Sequence, residues 1–311
     1  MELHFLGTGA GLPSKDRNVT SICLSMPQER QAVWMFDCGE ATQHQLLYSP
    51  LKPGKIEKIF ITHLHGDHIY GLPGLLSTRS FQQSDLQLEV YGPQGIKEFI
   101  EVSLRVSGSN VASSLIIHEI EPGRIFEDEG WTVDAVQLSH GVPCLGYIVE
   151  EKAVQGELKV EKLRQMGISP GPIYRQIKNQ EITELPDGQK IKRFDVVGPD
   201  KPGRKIAILG DTTYLPELKD NVEDADILVH EATFSADEPE MAKAYGHSTA
   251  LQAASLANDA NVKKLILTHI SARYHQDDAQ LLTEQARTVF PETELAEDMR
   301  VFDIPKNSSD S

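Results

Sequence analysis

His63-Leu64-His65-Gly66-Asp67-His68 packs four potential metal ligands into six residues. It follows directly on Lys58-Ile59-Phe60-Ile61-Thr62, a short β-branched and aromatic run that reads as a buried strand. The ligands then fall on a loop at the C-terminal end of that strand. A loop can turn three imidazoles and a carboxylate towards one centre, which a regular strand or helix would not do for all four. Neutral imidazole together with carboxylate suits zinc or another borderline divalent ion. The alternate spacing of His63 and His65 lets both grip one ion, while Asp67 and His68 point towards a second.

Two ions require more ligands than one hexapeptide supplies, and further candidates recur at strand ends. His140 follows Trp131 to Leu138, Asp211 follows Lys205 to Gly210, and His269 follows Lys264 to Thr268. One histidine after a strand is ordinarily a hydrogen-bonded loop residue. Three such coincidences added to the hexapeptide favour a shared site. The two oxygens of Asp211 make it the natural bridge between cations a few ångströms apart.

His-x-His-x-Asp-His followed by a later His, Asp and His in this order resembles the metallo-β-lactamase superfamily. The resemblance implies an α/β fold, an αβ/βα four-layer sandwich of two mixed sheets with helices outside and a dinuclear site at one edge. It also implies one ion held by His63, His65 and His140, another by Asp67, His68 and His269, and Asp211 bridging. Such a fold hosts thioester, lactam and phosphodiester hydrolysis, so the substrate must be argued separately.

Three segments narrow the resemblance to the ribonuclease Z family of tRNA 3′ endonucleases. Pro13-Ser14-Lys15-Asp16-Arg17-Asn18 looks like that family's Pro-x-Lys-x-Arg-Asn loop. His230-Glu231-Ala232-Thr233 looks like its His-Glu-Ala-Thr motif, followed by His247. Gly171-Pro172 lies in an insertion where the family carries a Gly-Pro-tipped tRNA-binding arm. The likeness runs from Met1 to about Pro305. It implies a zinc-dependent endoribonuclease acting on precursor tRNA, a cytoplasmic homodimer in which one subunit's arm holds the tRNA cleaved by the other. Two Zn2+ per subunit are expected, with Mn2+ or Fe2+ as substitutes.

The implied reaction hydrolyses the phosphodiester 3′ of the discriminator nucleotide, leaving a tRNA 3′-hydroxyl and a 5′-phosphorylated trailer. Two cations neutralise developing charge and supply a bridging hydroxide as nucleophile, with Asp67 as ligand and proton acceptor. Ser248 or Thr249 can cap a helix from Ala250 to Ala260, which puts His247 just outside its N-terminus. That position lowers an imidazole's pKa unless a carboxylate opposes it, and Glu231 is the candidate. A Glu231–His247 pair would serve as general acid towards the leaving 3′ oxygen. Pro13, Lys15, Arg17 and Asn18 are expected to contact the RNA 3′ end, and Gly171 and Pro172 its backbone. Arg273, just after His269, reads either as a phosphate contact or as a surface salt bridge. His4, His44, His118 and His275 read as structural or surface residues.

The net charge of −16 over 311 residues is unusual for an RNA binder, whose affinity rests on Lys and Arg. From Lys152 to Arg193, however, nine basic residues face five acidic ones, a local +4 that leaves −20 on the remainder. The expected organisation is one catalytic domain over 1–306, an inserted basic arm at 152–193, and a flexible tail at 307–311. Within the arm, Leu158 to Met166 reads as a short helix and Ile168 to Tyr174 as a turn. Its prolines and glycines argue against regular core elements. Met1 to Gly7 reads as a first strand, not a signal peptide, and no run approaches a membrane span. Cys23, Cys38 and Cys144 read as buried thiols. Two rivals remain: a small-molecule hydrolase of the glyoxalase II or β-lactamase kind, and a metal-binding RNA-binding module without catalysis. The first would have no use for the basic arm or the Glu231–His247 pair. The second would require a broken ligand set, and all seven positions are intact.

Overall fold

The computed structural model describes residues 1–81, 86–109 and 115–307. Among the described residues two seven-stranded sheets form from short apolar runs, most of them buried on both faces. In chain order they begin β1 (Glu2–Gly7), β2 (Ser21–Met26), β3 (Ala32–Phe36), β4 (Ile56–Phe60), β5 (Leu88–Gly92) and β6 (Leu115–Glu119). These six, with the late strand Val301–Asp303, form a seven-stranded sheet in which Val301–Asp303 lies beside β1 and the rest follow in order. The second seven-stranded sheet comprises β7 (Gly123–Glu127), β8 (Trp131–Leu138), β9 (Cys144–Glu151), β10 (Lys205–Ile208), β11 (Ile227–Glu231), β12 (Leu265–Thr268) and β13 (Thr293–Leu295). It too runs in chain order from one edge to the other. The strands that carry the site pair in parallel, β3 with β4 and β10 to β11 to β12, so their C-terminal ends share an edge of each sheet.

Alternation along each strand divides the side chains between layers. Phe36 and Phe60 point inward and meet Tyr147 of β9 at 6.0 and 5.2 Å between ring centroids. The Tyr147 hydroxyl donates to the Ile61 carbonyl at 2.5 Å, joining the two sheets. On the outer face of the first sheet, Val33, Met35 and Ile59 pack with Leu46, Leu75 and Ile100 of its covering helices. On the outer face of the second, Leu228 and Leu267 pack with Ala253, Ala257 and Leu282. This is the αβ/βα sandwich, with helices Ile96–Val106, Ala250–Asp259 and Gln276–Arg287 among its covering elements, the second close to the bounds expected for it.

A second compact unit is made of Asp128–Trp131, Glu150–Arg204, Lys306 and Asn307. It is wider than the expected 152–193 and more regular. Its own core holds Leu163, Ile168, Ile177, Ile191, Val196 and Val197. Val160–Gln165 is the expected helix, but the turn expected through Tyr174 is cut short by a second helix, Pro172–Asn179. Proline at the first helical position loses no hydrogen bond and has the right φ, so Gly171-Pro172 starts a helix. A hairpin pairs Ile182–Glu184 with Lys190–Lys192. The tail expectation also changes: Asn307 is tied by its side-chain amide to the Gly203 carbonyl at 3.0 Å, and residues 308–311 lie outside the described residues. Among the described residues no helix is long and apolar enough to cross a membrane.

Candidate metal centre

All seven expected ligands converge, together with the Glu231–His247 pair. The hexapeptide is not wholly a loop: Gly66–Ile69 forms one helical turn after His65, fixed by the Cys38 N–H to the His68 carbonyl at 2.8 Å. Successive residues on a helix diverge by about 100°, so one turn suffices to separate Asp67 from His68. His63 Nε2 and His140 Nε2 lie 3.1 and 3.2 Å from His65 Nδ1. Asp67 Oδ2 lies 3.3 Å from His68 Nε2 and 3.4 Å from His269 Nε2. Donors about 2.0–2.1 Å from a tetrahedral zinc stand about 3.3 Å apart, so both trios have the spacing of a coordination shell. Asp211 Oδ2 sits between them, 3.7 and 3.9 Å from His63 and His140, 3.5 and 3.3 Å from His68 and His269. One oxygen faces both trios, as a bridge must.

Second partners aim these rings. His68 Nδ1 meets Asp37 Oδ2 at 2.7 Å and His140 Nδ1 the Gly246 carbonyl at 2.8 Å, so each ring directs Nε2 at the centre. Gly246 has φ 75°, and a Cβ there would stand 3.0 Å from His140 Nδ1, so glycine is required for the approach. His63 and His269 rest on the hydroxyls of Thr62 and Thr233, at 3.0 and 2.9 Å. Asp37 and His269 both have left-handed φ, 58° and 56°. That conformation costs a non-glycine residue about 1–3 kcal/mol and is typical of functional sites. Asp37, Thr62 and Thr233 escaped the sequence reading. Asp37 does follow strand β3, the same signal that marked the ligands.

Electrostatics suits cations. Burial, reinforced by neighbouring imidazoles, pushes His63 down to about 2, leaving a neutral donor. Burial likewise lowers His65, with His140 adding to it. Burial opposes the ionised forms of Asp67 and Asp211, but surrounding imidazoles, His269 and His68 foremost, hold both far below the usual carboxylate range. His68 is drawn the other way: burial disfavours its charge, yet Asp211 and Asp37 outweigh burial and raise it. Its Nε2 is buried without a hydrogen-bond partner among the described residues. Carboxylates that draw a proton onto a buried imidazole are equally disposed to draw divalent cations, and the donor set fits them.

Beside the ligands, His247 Nδ1 lies 2.9 Å from Glu231 Oε1, its ring centroid 5.0 Å from His140 and 5.4 Å from His269. Thr249 rather than Ser248 caps the helix at Ala250, reciprocally with Gln252. Ser248 instead donates to the Thr212 carbonyl, which anchors the loop carrying His247. Glu231 is almost wholly buried and also accepts from the Thr212 N–H at 2.9 Å and the Thr233 hydroxyl at 2.6 Å. Burial lowers His247, but Glu231, then Asp211 and Asp67, raise it to about 9.

The seven candidate ligands and the Glu231–His247 pair thus come together in one place; the RNA-contact candidates divide. Pro13 and Lys15 are exposed on a turn closed by the Ser14 N–H to the Arg17 carbonyl at 2.8 Å. Arg17 itself turns inward, donating to the Thr8 hydroxyl and the Ala296 carbonyl, both at 2.7 Å. The Asn18 side chain donates to the Glu40 carbonyl at 2.8 Å. Arg273 takes the salt-bridge alternative, pairing with Glu238 at 2.8 Å and lying over the Phe234 ring. Gly171 and Pro172 are exposed in the second unit.

Residues 1–154 match the family profile described as Anti-Pycsar protein Apyc1, and residues 194–270 that of the Beta-lactamase superfamily domain. Among curated proteins, Ribonuclease Z of Oceanobacillus iheyensis is 56% identical over 98% of this chain and 100% of its own length. Ribonuclease Z of Bacillus licheniformis is 54% identical over 98% and 100%. The chain belongs to the ribonuclease Z family. Among solved structures, human tRNase Z, short form, superposes with TM-score 0.71 at 33% identity, covering 98% of this chain and all of that one. The metallo-β-lactamase fold protein YhfI from Bacillus subtilis, at 19% identity and TM-score 0.67, shares the fold. Family membership makes the chain an endoribonuclease on a metallo-β-lactamase scaffold.

Proposed function

We propose that this chain removes 3′ trailers from precursor tRNA, cutting 3′ of the discriminator nucleotide to leave a tRNA 3′-hydroxyl and a 5′-phosphorylated trailer. The supporting observation is the placement of the Glu231–His247 pair against two ligand trios that share Asp211. His63, His65 and His140 would hold one Zn2+, Asp67, His68 and His269 the other, with Mn2+ or Fe2+ able to substitute. When bound, the ions offset the charge of the phosphodiester and lower the pKa of the attacking water, which serves as hydroxide.

The chain's own residues do the rest. Asp67 Oδ2, steadied by the Gly11 N–H at 2.9 Å, accepts the proton lost from the nucleophile. His247, protonated and with Nδ1 held by Glu231, presents Nε2–H to the leaving 3′ oxygen. An acid is needed there because an alkoxide is a poor leaving group. Lys15, on its exposed turn, contacts the RNA 3′ end, and Arg17 shapes that turn from beneath. The basic segment 152–193, around Gly171-Pro172, holds the body of the tRNA. We further place the enzyme in the cytoplasm as a homodimer, each arm serving the partner's centre. A monomer with full activity at every concentration in sedimentation would overturn that last part.

The decisive experiment is cleavage of an end-labelled, 3′-extended precursor tRNA by zinc-loaded protein, with Asp67→Ala and chelated controls. One metal-dependent cut at the discriminator junction is expected. No cut by protein shown to hold two metals would return the chain to the wider hydrolases, with thioesters next to try.

A further inference from the structure

Two ligand histidines rest on acceptors that cannot donate, the Asp37 carboxylate and the Gly246 carbonyl, so their tautomers are fixed outright. The other two Nε2 ligands rest on hydroxyls, which can donate or accept. Behind each hydroxyl stands a carboxylate. Thr62 Oγ1 is 2.8 Å from Asp37 Oδ2 and 3.0 Å from His63 Nδ1. Thr233 Oγ1 is 2.6 Å from Glu231 Oε2 and 2.9 Å from His269 Nδ1, with the His269 carbonyl at 3.1 Å. A threonine has one proton to give. Hydrogen bonds to an ionised acceptor are shorter and stronger than neutral ones, so the carboxylate takes it in both places. The histidine nitrogen must then be the donor towards the hydroxyl, which leaves the Nε2 lone pair facing Asp67 and Asp211.

We propose that Thr233 is a positioning residue: by committing its hydroxyl proton to Glu231, it sets the tautomer of His269 and ties the acid pair to the second ion. The inference rests on the two-ion reading above. It gives Glu231 a second role beyond orienting His247, because only an anion there forces the hydroxyl to face away from His269. A neutral amide in its place can donate to Thr233, reversing the relay and turning the hydroxyl proton onto Nδ1. His269 would then carry its own proton on Nε2, where the ion should bind.

The test begins with metal-free wild-type protein carrying ¹⁵N-labelled histidine. Long-range ¹⁵N–¹H spectra should show a proton on Nδ1 of His269, whether or not Asp67 and Asp211 also hold one on Nε2; a bare Nδ1 overturns the proposal without any variant. Zinc titration against a competing chelator follows. Thr233→Val, which keeps the side-chain shape, should bind one ion normally and the other about 10–100-fold more weakly, the usual cost of removing a ligand's outer partner. Thr233→Ser, which restores the hydroxyl, should recover most of that loss, and Glu231→Gln should weaken the same ion. Wild-type affinity at both sites in folded Thr233→Val overturns the proposal. A wild-type chain that takes up fewer than two ions overturns the two-ion reading instead, and does so before any variant is compared.

Discussion

Glu231→Gln keeps the shape of the side chain and removes its charge, so at saturating zinc its effect on kcat reads what the carboxylate does for His247. His247 is raised from 6.5 to about 9 although burial pulls it down; Glu231 is the principal opposing cause, with Asp211 and Asp67 adding to it. That rise corresponds to roughly 3 kcal/mol in favour of the imidazolium. Bound cations would cancel the shares of Asp211 and Asp67, leaving Glu231 to hold the proton. The alkaline limb of kcat in loaded enzyme should therefore lie between 6.5 and about 9. With glutamine, burial dominates and the limb should fall below 6.5, so at pH 7.5 less than about one tenth of the acid form remains. Single-turnover cleavage from pH 5.5 to 9.5 reads this directly: about a tenfold deficit against the acid plateau at pH 7.5, widening above it. Folding stability follows the same direction, since a raised imidazole stabilises fully below 6.5 and loses that contribution as pH rises through about 9. A glutamine variant whose alkaline limb stays where the wild type has it would refute the assignment of His247 as the acid held by Glu231.

Asp211→Asn should lower zinc stoichiometry from two to one or fewer after dialysis, because its Oδ2 alone faces both trios; elemental analysis retaining two ions would count against bridging. Asp37→Asn removes the charge behind both His68 and Thr62, and the expected loss in zinc affinity is about 10–100-fold by chelator competition. Arg17→Lys cannot reproduce the paired contacts to Thr8 and Ala296, so a stability loss of about 1–3 kcal/mol in urea unfolding is expected; unchanged stability with a raised KM would make Arg17 an RNA contact instead. Lys159→Glu with Lys192→Glu, both exposed on the basic segment 152–193, should raise KM for precursor tRNA several-fold, flatten its salt dependence, and leave hydrolysis of a small phosphodiester untouched. Equal loss on both substrates would make the unit structural.

The ligands were legible because each ends an apolar run, and a run ending in His or Asp is a pattern a chain displays locally. The sandwich followed from the resemblance those ligands carry. What stayed hidden was set by distant partners. Arg17 stands beside Lys15 in a polar, proline-bearing turn and reads as solvated, yet Ala296 supplies a buried carbonyl from the far end of the chain. Thr233 stood out only as the last letter of the His-Glu-Ala-Thr motif; its contact with His269, thirty-six residues on, appears only in the fold. The basic insertion misled in the opposite direction. Its prolines and glycines suggested irregular chain, whereas Pro172 opens a helix and Ile177, Ile191 and Val196 close a small core. Spacing that short, spread over elements of three to eight residues, leaves too little periodicity to read.

The candidate centre draws Asp37, His63, His65, Asp67 and His68 from the first sheet's strand ends and His140, Asp211, Glu231, His247 and His269 from the second's. A ribosome delivers these in order, and no partial chain holds both trios. Until residue 269 has emerged, the trio of Asp67, His68 and His269 lacks one of its candidate donors. The full candidate centre therefore exists only once nearly the whole chain has been made and folded.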